Sequence, residues 1–211
     1  MKARGVLKIA HRVSQGILET AREEGCNFLL LGRSVARSLL ERLVASVVER
    51  IIDDAPNQVG VVYGDIVPER VRGVVAPVTS GANSQLASEL ASAFATRFRT
   101  EVRALTVIPT ELADEEAETL ARRARDTLQA AHTGSRHELI RGRDVGAVLI
   151  RALREDELVL IGAPRTDPVA AVLSETIPAI VAECRRGPTI VVRGVDARHP
   201  GRFKRFFLGR K

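Results

Sequence analysis

At 211 residues and 45% hydrophobic content, the chain is long enough for one large or two small domains with real cores. Lys and Arg number 32 against 26 Asp and Glu, a net charge of +6 that suits nucleotide, nucleic acid or an anionic membrane surface without choosing among them. Aromatic residues make up 3%, too few for the stacking platforms of a single-stranded nucleic-acid binder, and no run is apolar and long enough to cross a bilayer.

The elements read in order as follows. Gly5 to Ala10 (GVLKIA) is expected to form a short strand. Ser14 is expected to cap a helix that faces inward through Ile17, Leu18 and Ala21 and ends at Gly25. Phe28 to Leu31 is a continuous apolar run, the pattern of a parallel strand buried on both faces. A helix from about Ala36 to Asp53 follows, with Leu39, Leu40, Leu43, Val44, Val47, Val48, Ile51 and Ile52 as one apolar stripe. Pro56 and Asn57 stop it, and Val59 to Tyr63 is a strand. Gly64 to Glu69 (GDIVPE) marks a boundary between modules.

A second series begins near Val71 (VRGVVAPV) and turns at Thr79-Ser80-Gly81-Ala82-Asn83-Ser84. A helix runs to about Arg97, facing inward through Leu86, Leu90, Ala93 and Phe94. Glu101 to Ile108 is a strand. The next helix has acidic first turns (Glu111, Asp114, Glu115, Glu116) and later arginines (Arg122, Arg123, Arg125), a polarity that suits the helix dipole. Its buried face is Ala117, Leu120, Ala121, Ala124 and Leu128. Arg136 to Ile140 is a strand, and Asp144 caps a helix with Val145, Val148, Leu149, Ala152 and Leu153 on one face. Leu158 to Ile161 and Thr189 to Val192 are strands joined by a helix.

One unit occurs twice. Gly32 aligns with Gly162 and Val62 with Val192, both 130 residues apart, and the same offset pairs Gly16 with Gly146 and Ser14 with Asp144. Residues 71 to 192 therefore read as five strands alternating with four helices, a three-layer α/β module. Residues 1 to 63 hold only its last three strands and last two helices.

This pattern resembles the universal stress protein family, which implies a parallel five-stranded sheet in the order 3-2-1-4-5, Rossmann-like and akin to the adenine-nucleotide α-hydrolase fold. The resemblance covers nearly the whole chain, as one partial copy (1–64), a linker (65–70), one complete copy (71–195) and a basic aromatic tail (196–211). Many members bind ATP or AMP, with accompanying magnesium, through G-x2-G-x9-G-[S/T] after the fourth strand. Here the first copy reads Gly32, Val35, Ala45, Ser46, and the second Gly162, Arg165, Glu175, Thr176. The first glycine and the hydroxyl survive; the middle glycines do not. A Val35 side chain would crowd a phosphate, and Glu175 would repel one unless Arg165 offsets it. Where binding members carry an aspartate after the first strand, this chain has Thr79 after Pro77-Val78. The nucleotide-binding candidates that the resemblance implies are thus Pro77, Thr79, Ser80, Val107, Gly162, Arg165 and Thr176 in the complete copy, and Gly32 and Ser46 in the partial one.

The Leu173-to-Pro178 stretch and the strand ending at Thr79-Ser80-Gly81 also resemble stress-protein modules fused behind amino-acid permeases and related transporters. That implies a non-enzymatic, cytoplasmic regulatory role at the inner face of a membrane. The alternatives are a structural dimerisation or partner-binding module with degenerate nucleotide sites, and an ATP-using enzyme. The enzyme reading rests on Thr79 to Ser84, which is similar to the SGGxDS loop of ATP pyrophosphatases but has Ala82 and Asn83 at the second glycine and the aspartate. The plainer reading of that loop is a helix cap by Ser80 or Asn83.

His11, His132, His137 and His199 lack metal-ligand spacing, and no catalytic set suggests itself. Cys26 and Cys184 read as reduced, buried cysteines. In the tail, Arg202, Lys204, Arg205, Arg210 and Lys211 interleave with Phe203, Phe206 and Phe207, a composition that suits anionic headgroups or packing back on the domain. Because the first copy lacks its first two strands, it is expected to be completed by the full copy, by a homodimer partner or by residues outside this sequence.

Overall fold

The computed structural model describes residues 4–33, 47–48, 50–52, 54–163 and 177–194. Val35, Ala45, Ser46, Arg165, Glu175, Thr176 and the tail lie outside the described residues, as does the first part of the helix expected after Phe28–Leu31.

Seven strands form one sheet in the order β1-β2-β7-β6-β3-β4-β5. They are β1 (Phe28–Arg33), β2 (Gln58–Tyr63), β3 (Gly73–Pro77), β4 (Val102–Pro109), β5 (Arg136–Gly142), β6 (Glu157–Gly162) and β7 (Thr189–Arg193). Strands β3 to β7 are parallel and follow the expected 3-2-1-4-5 order. The sheet as a whole is neither five-stranded nor wholly parallel. β1 and β2 of the first copy are parallel to each other, but β2 joins β7 antiparallel, with Val61 opposite Val191.

The helices are α1 (Val13–Glu23), α2 (Ala82–Phe98), α3 (Asp114–Ala130), α4 (Val145–Ala152) and α5 (Ile177–Cys184), with a further helical stretch within 47–54. One face of the sheet carries a core from both copies. There Leu18 and Ala21 of α1, Ile51 and Ile52 join Val61, Val159, Leu149, Val181 and Val191. The other face packs α2 and α3 through Leu86, Ala87, Ala91, Ala124 and Leu128 against Val74, Ala76, Leu158 and Leu160. Alanine dominates α2's buried side, which brings the helix close to the strands. Ala93, expected inside, is exposed, while Ala87, Ala91 and Ala95 take the inner positions.

Gly5 to Ala10 forms no strand. Val6 is exposed, and Leu7 and Ile9 are 96% and 97% exposed. In the second copy the equivalent segment is β5, which hydrogen-bonds β4. Among the described residues no strand lies beside Gly5 to Ala10 as β4 lies beside β5. The segment runs beside α1 instead, held by Lys8 Nζ to Glu23 at 2.8 Å and by Arg4 to Glu24. α1 begins two positions earlier than its repeat equivalent, at Val13, whereas Val145 is equivalent to residue 15. Its N-cap is Arg12, and Ser14 is buried within the helix rather than capping it. Asp144 does cap α4, its Oδ1 accepting from Ala147 N–H at 2.9 Å. Gly25 ends α1 at φ 62°. That turn lets Cys26 N–H reach back to the Ala21 carbonyl at 2.8 Å and leaves Cys26 exposed, not buried.

The seam between the copies is closed by Arg193. This side chain is 7% exposed, and its Nη2 donates to the carbonyls of Ala55 at 2.9 Å and Asn57 at 3.2 Å. A second polar cluster lies at the opposite end of the second copy's strands. Arg103 Nη2 spans both carboxylate oxygens of Glu157 at 2.9 Å, and Arg154 N–H donates to the same carboxylate at 2.7 Å. Nearby, burial pushes the Arg185 guanidinium below its ordinary value, an effect opposed by Glu157, Glu155 and Asp156.

Candidate functional site

The strand order reverses between β3 and β6. The helix after β3, α2, packs on one face; the next described helix after β6, α5, packs on the other. A crevice outside the carboxyl ends of two such strands is where open α/β sheets take ligands. Here it is bounded by Thr79–Gly81, by Gly162–Ala163 and by the start of α2.

Pro77 is buried, Thr79 exposed and Ser80 half-buried. The loop is tied at several points. Thr79 N–H donates to Ser84 Oγ at 3.0 Å, and Thr127 Oγ1, whose proton goes to the Arg123 carbonyl at 2.8 Å, lies 3.4 Å from the Thr79 carbonyl. Buried Thr106 donates to the Val78 carbonyl at 2.7 Å. With that proton committed, His137 Nε2, 2.9 Å from Thr106 Oγ1, must be the donor of the pair. His137 thus has a structural role on β5, bracing the end of β3 through β4. Val107 is turned into the core beside Leu105 and Leu149 and does not face the crevice.

Burial first, and then the charge of Arg125, hold the His137 imidazole below the ordinary 6.5. Its folded value lies under its unfolded one, so the unfolded chain binds the extra proton between the two. The stability from neutral His137 is therefore whole above pH 6.5 and is lost as the pH falls through the folded value. Urea midpoints measured from pH 8 downward should fall for the natural chain and fall less for His137→Gln.

Neither Ser80 nor Asn83 caps α2. The N-cap is Gly81, at φ 96°, with no side-chain bond. Asn83 makes a different connection. Its Nδ2 donates to the Ala163 carbonyl at 2.9 Å, and its Oδ1 accepts from Gly194 N–H at 2.8 Å. One amide side chain thus bridges the ends of β6 and β7 from the first turn of α2. Sequence reasoning placed Asn83 in a phosphate loop or a cap; only the meeting of three segments shows the bridge. Asn83→Ala leaves two partly buried groups unpartnered, and an unfolding free-energy loss of about 2 kcal/mol is expected by urea titration.

Gly162 does not serve a left-handed turn, since its φ is outside that region. A Cβ there would lie 2.7 Å from the Asn83 carbonyl carbon and 2.8 Å from Ser84 N. The glycine makes room for the α2 backbone. That packing by itself accounts for a glycine at this position.

The two candidate sets are not brought together. Because β2 and β7 are antiparallel, β1 and β6 run in opposite directions with two strands between them, and Gly32 is level with Leu160 rather than with Gly162. Arg165, Thr176 and Ser46 lie outside the described residues. Beyond the carboxyl end of β2 there is a cavity of about 410 Å³, lined among others by Asp65, Arg70, Glu155, Asp156 and Arg186. Its size is that of a small-molecule site, but its charged walls are exposed and of mixed sign. No motif announced it, because its residues come from three separate connections. Among the described residues no group of three or more His, Cys, Asp or Glu side chains is placed to hold a metal, and no helix is long and apolar enough to cross a membrane.

No family model and no curated protein matches the chain. Solved structures do. A universal stress protein from Archaeoglobus fulgidus DSM 4304 is 18% identical over 87% of this chain and 66% of its own, with a TM-score of 0.53. UspA, a universal stress protein from Lactobacillus plantarum, is 20% identical over 59% of this chain and 99% of its own, with a TM-score of 0.48. A universal stress protein in complex with cAMP is 17% identical over 58% of this chain and 97% of its own, at 0.42. The fold is the one seen in universal stress proteins.

Proposed function

We propose that the chain is a non-enzymatic regulatory module of the universal-stress-protein kind that takes an adenine nucleotide, ATP or AMP with or without magnesium, in the β3/β6 crevice. The observation that carries this reading is the reversal of strand order there, with exposed Thr79 and the first turn of α2 at its mouth. Thr79 would meet the nucleoside; Gly162, Arg165 and Thr176 would meet the phosphates. The module would report to a neighbouring protein, with a membrane transporter as the proposed context and the cytoplasm as its location. The tail, residues 196–211, would bring it to anionic headgroups.

Asn83 favours a second reading, a partner-binding module with degenerate nucleotide sites. Its amide already occupies the strand ends that a phosphate would approach. In that case pairing of the two units in one chain does the work of a homodimer.

Calorimetric titration with ATP, AMP and cAMP, with and without magnesium, separates the two readings. Micromolar binding that weakens at least tenfold in Thr79→Val supports the first. A flat titration supports the second. Steady release of pyrophosphate would overturn both in favour of an enzyme.

A further inference from the structure

The 130-residue repeat allows each position of the first copy to be compared with its equivalent in the second, and three comparisons disagree in the same sense. Leu160 is fully buried under α2, but its equivalent Leu30 is 49% exposed. Leu158 is fully buried, but Phe28 is only partly so. Gly162 is pressed against the α2 backbone, yet among the described residues no atom lies within 4 Å of a Cβ placed on Gly32. Gly32 is also outside the left-handed region, so its own backbone does not require glycine. β6 has β3 on one side and β7 on the other, whereas among the described residues β1 is the last strand of the sheet.

We propose that β1 is a docking site for a strand–helix unit of the β3–α2 kind carried by a partner chain. The incoming strand runs parallel to β1, and its register follows from the repeat. In the complete copy Val74 lies opposite Leu158 and Val75 opposite Val159, so the partner's equivalents lie opposite Phe28 and Leu29. The incoming helix covers Leu30, and its first turn sits on Gly32, where a side chain would block it. Such strand addition satisfies the outer backbone groups of β1 and buries an apolar side chain in one step. A second copy of this chain cannot supply the unit without unfolding, because Val74, Val75 and Ala76 of β3 are fully buried between β4 and β6.

The test follows from the constant offset. Residue 135 is equivalent to residue 5, so a copy of residues 71–134 placed directly ahead of Gly5 restores the missing unit in the full chain. Hydrogen exchange at the β1 amides not bonded to β2 should slow at least tenfold. Gly32→Leu should abolish that slowing in the grafted chain and leave the ungrafted chain's melting temperature unchanged. A synthetic peptide of residues 71–99 added to the ungrafted chain gives a second format for the same readout. Slowing in either format, lost in Gly32→Leu, supports the proposal. No slowing in both overturns it. Protection of these amides in the ungrafted chain alone also overturns it, because a second copy or the chain's own remaining residues would then cover β1; sedimentation tells these two apart.

Discussion

Replacing Arg193 with alanine is expected to cost the chain about 3 kcal/mol, since a buried and a part-buried carbonyl lose a charged donor. The guanidinium is 7% exposed and donates to the Ala55 and Asn57 carbonyls, which belong to the other copy. Truncation removes those donors where water has little access, so the carbonyls lose partners they cannot easily replace. The damage should be local before it is global. Hydrogen exchange at β2 should speed up before exchange at β3 and β4 does, because Arg193 stands opposite Val59 at one end of the β2–β7 ladder. Arg193→Lys should recover only part of the loss: both bonds come from the one Nη2, and the more strongly hydrated lysine ammonium costs more to bury in its place. Equal acceleration across all strands would show that the seam is not a separate unit of stability.

The second large effect is expected at Gly162. Leucine there must displace the backbone of Asn83 and Ser84, which a Cβ alone would meet at 2.7–2.8 Å. Backbone at a helix start cannot swing aside as a side-chain end can, so a cost of about 3 kcal/mol follows from overpacking. The shift would also pull Asn83 from Ala163 and Gly194. Gly162→Leu and Asn83→Ala should therefore be strongly non-additive in a double-mutant cycle on urea unfolding. The same leucine at Gly32 should change the urea midpoint little, since nothing described stands near it. A chain that tolerates leucine at both positions would refute the packing role assigned to Gly162.

The fold class was legible because the strands announce themselves. Runs such as Leu158 to Ile161 are apolar at every position, which only a strand covered on both faces requires. The order of the five strands β3 to β7 followed from the resemblance to universal stress proteins, not from the strands themselves. Asp144 was legible as a cap because a cap is a local device, decided within three residues. What failed was whatever depended on a distant neighbour. Gly5 to Ala10 has the composition of a strand but no partner strand, and composition does not record partners. The β2–β7 seam left no motif, because two apolar strands pair in either sense and the deciding contact, Arg193 with Ala55 and Asn57, joins residues more than 130 apart. Asn83 and Gly162 have packing roles that no local pattern announces, for one reason: α2, β6 and β7 converge on them from distant parts of the chain. Val107, a candidate by resemblance alone, sits on the face of β4 turned to the core, a matter of strand parity that a family motif does not record.

The reversal of direction between β2 and β7 gives the protein two poles. Whatever gathers outside the carboxyl ends of β3 and β6 faces one way, while the carboxyl ends of β1 and β2, with the cavity beside Asp65 and Arg186, face the other. Two ligands so placed would be separated by the β2–β7 ladder, which runs from Tyr63 opposite Thr189 to Val59 opposite Arg193. The two adjoining ladders at the centre, β2 on β7 and β7 on β6, are the direct conductor, and Arg193 is the rivet at one end of it. A sheet of this kind is less a pocket with two compartments than a beam, on which a load applied at one end is felt as strain at the other.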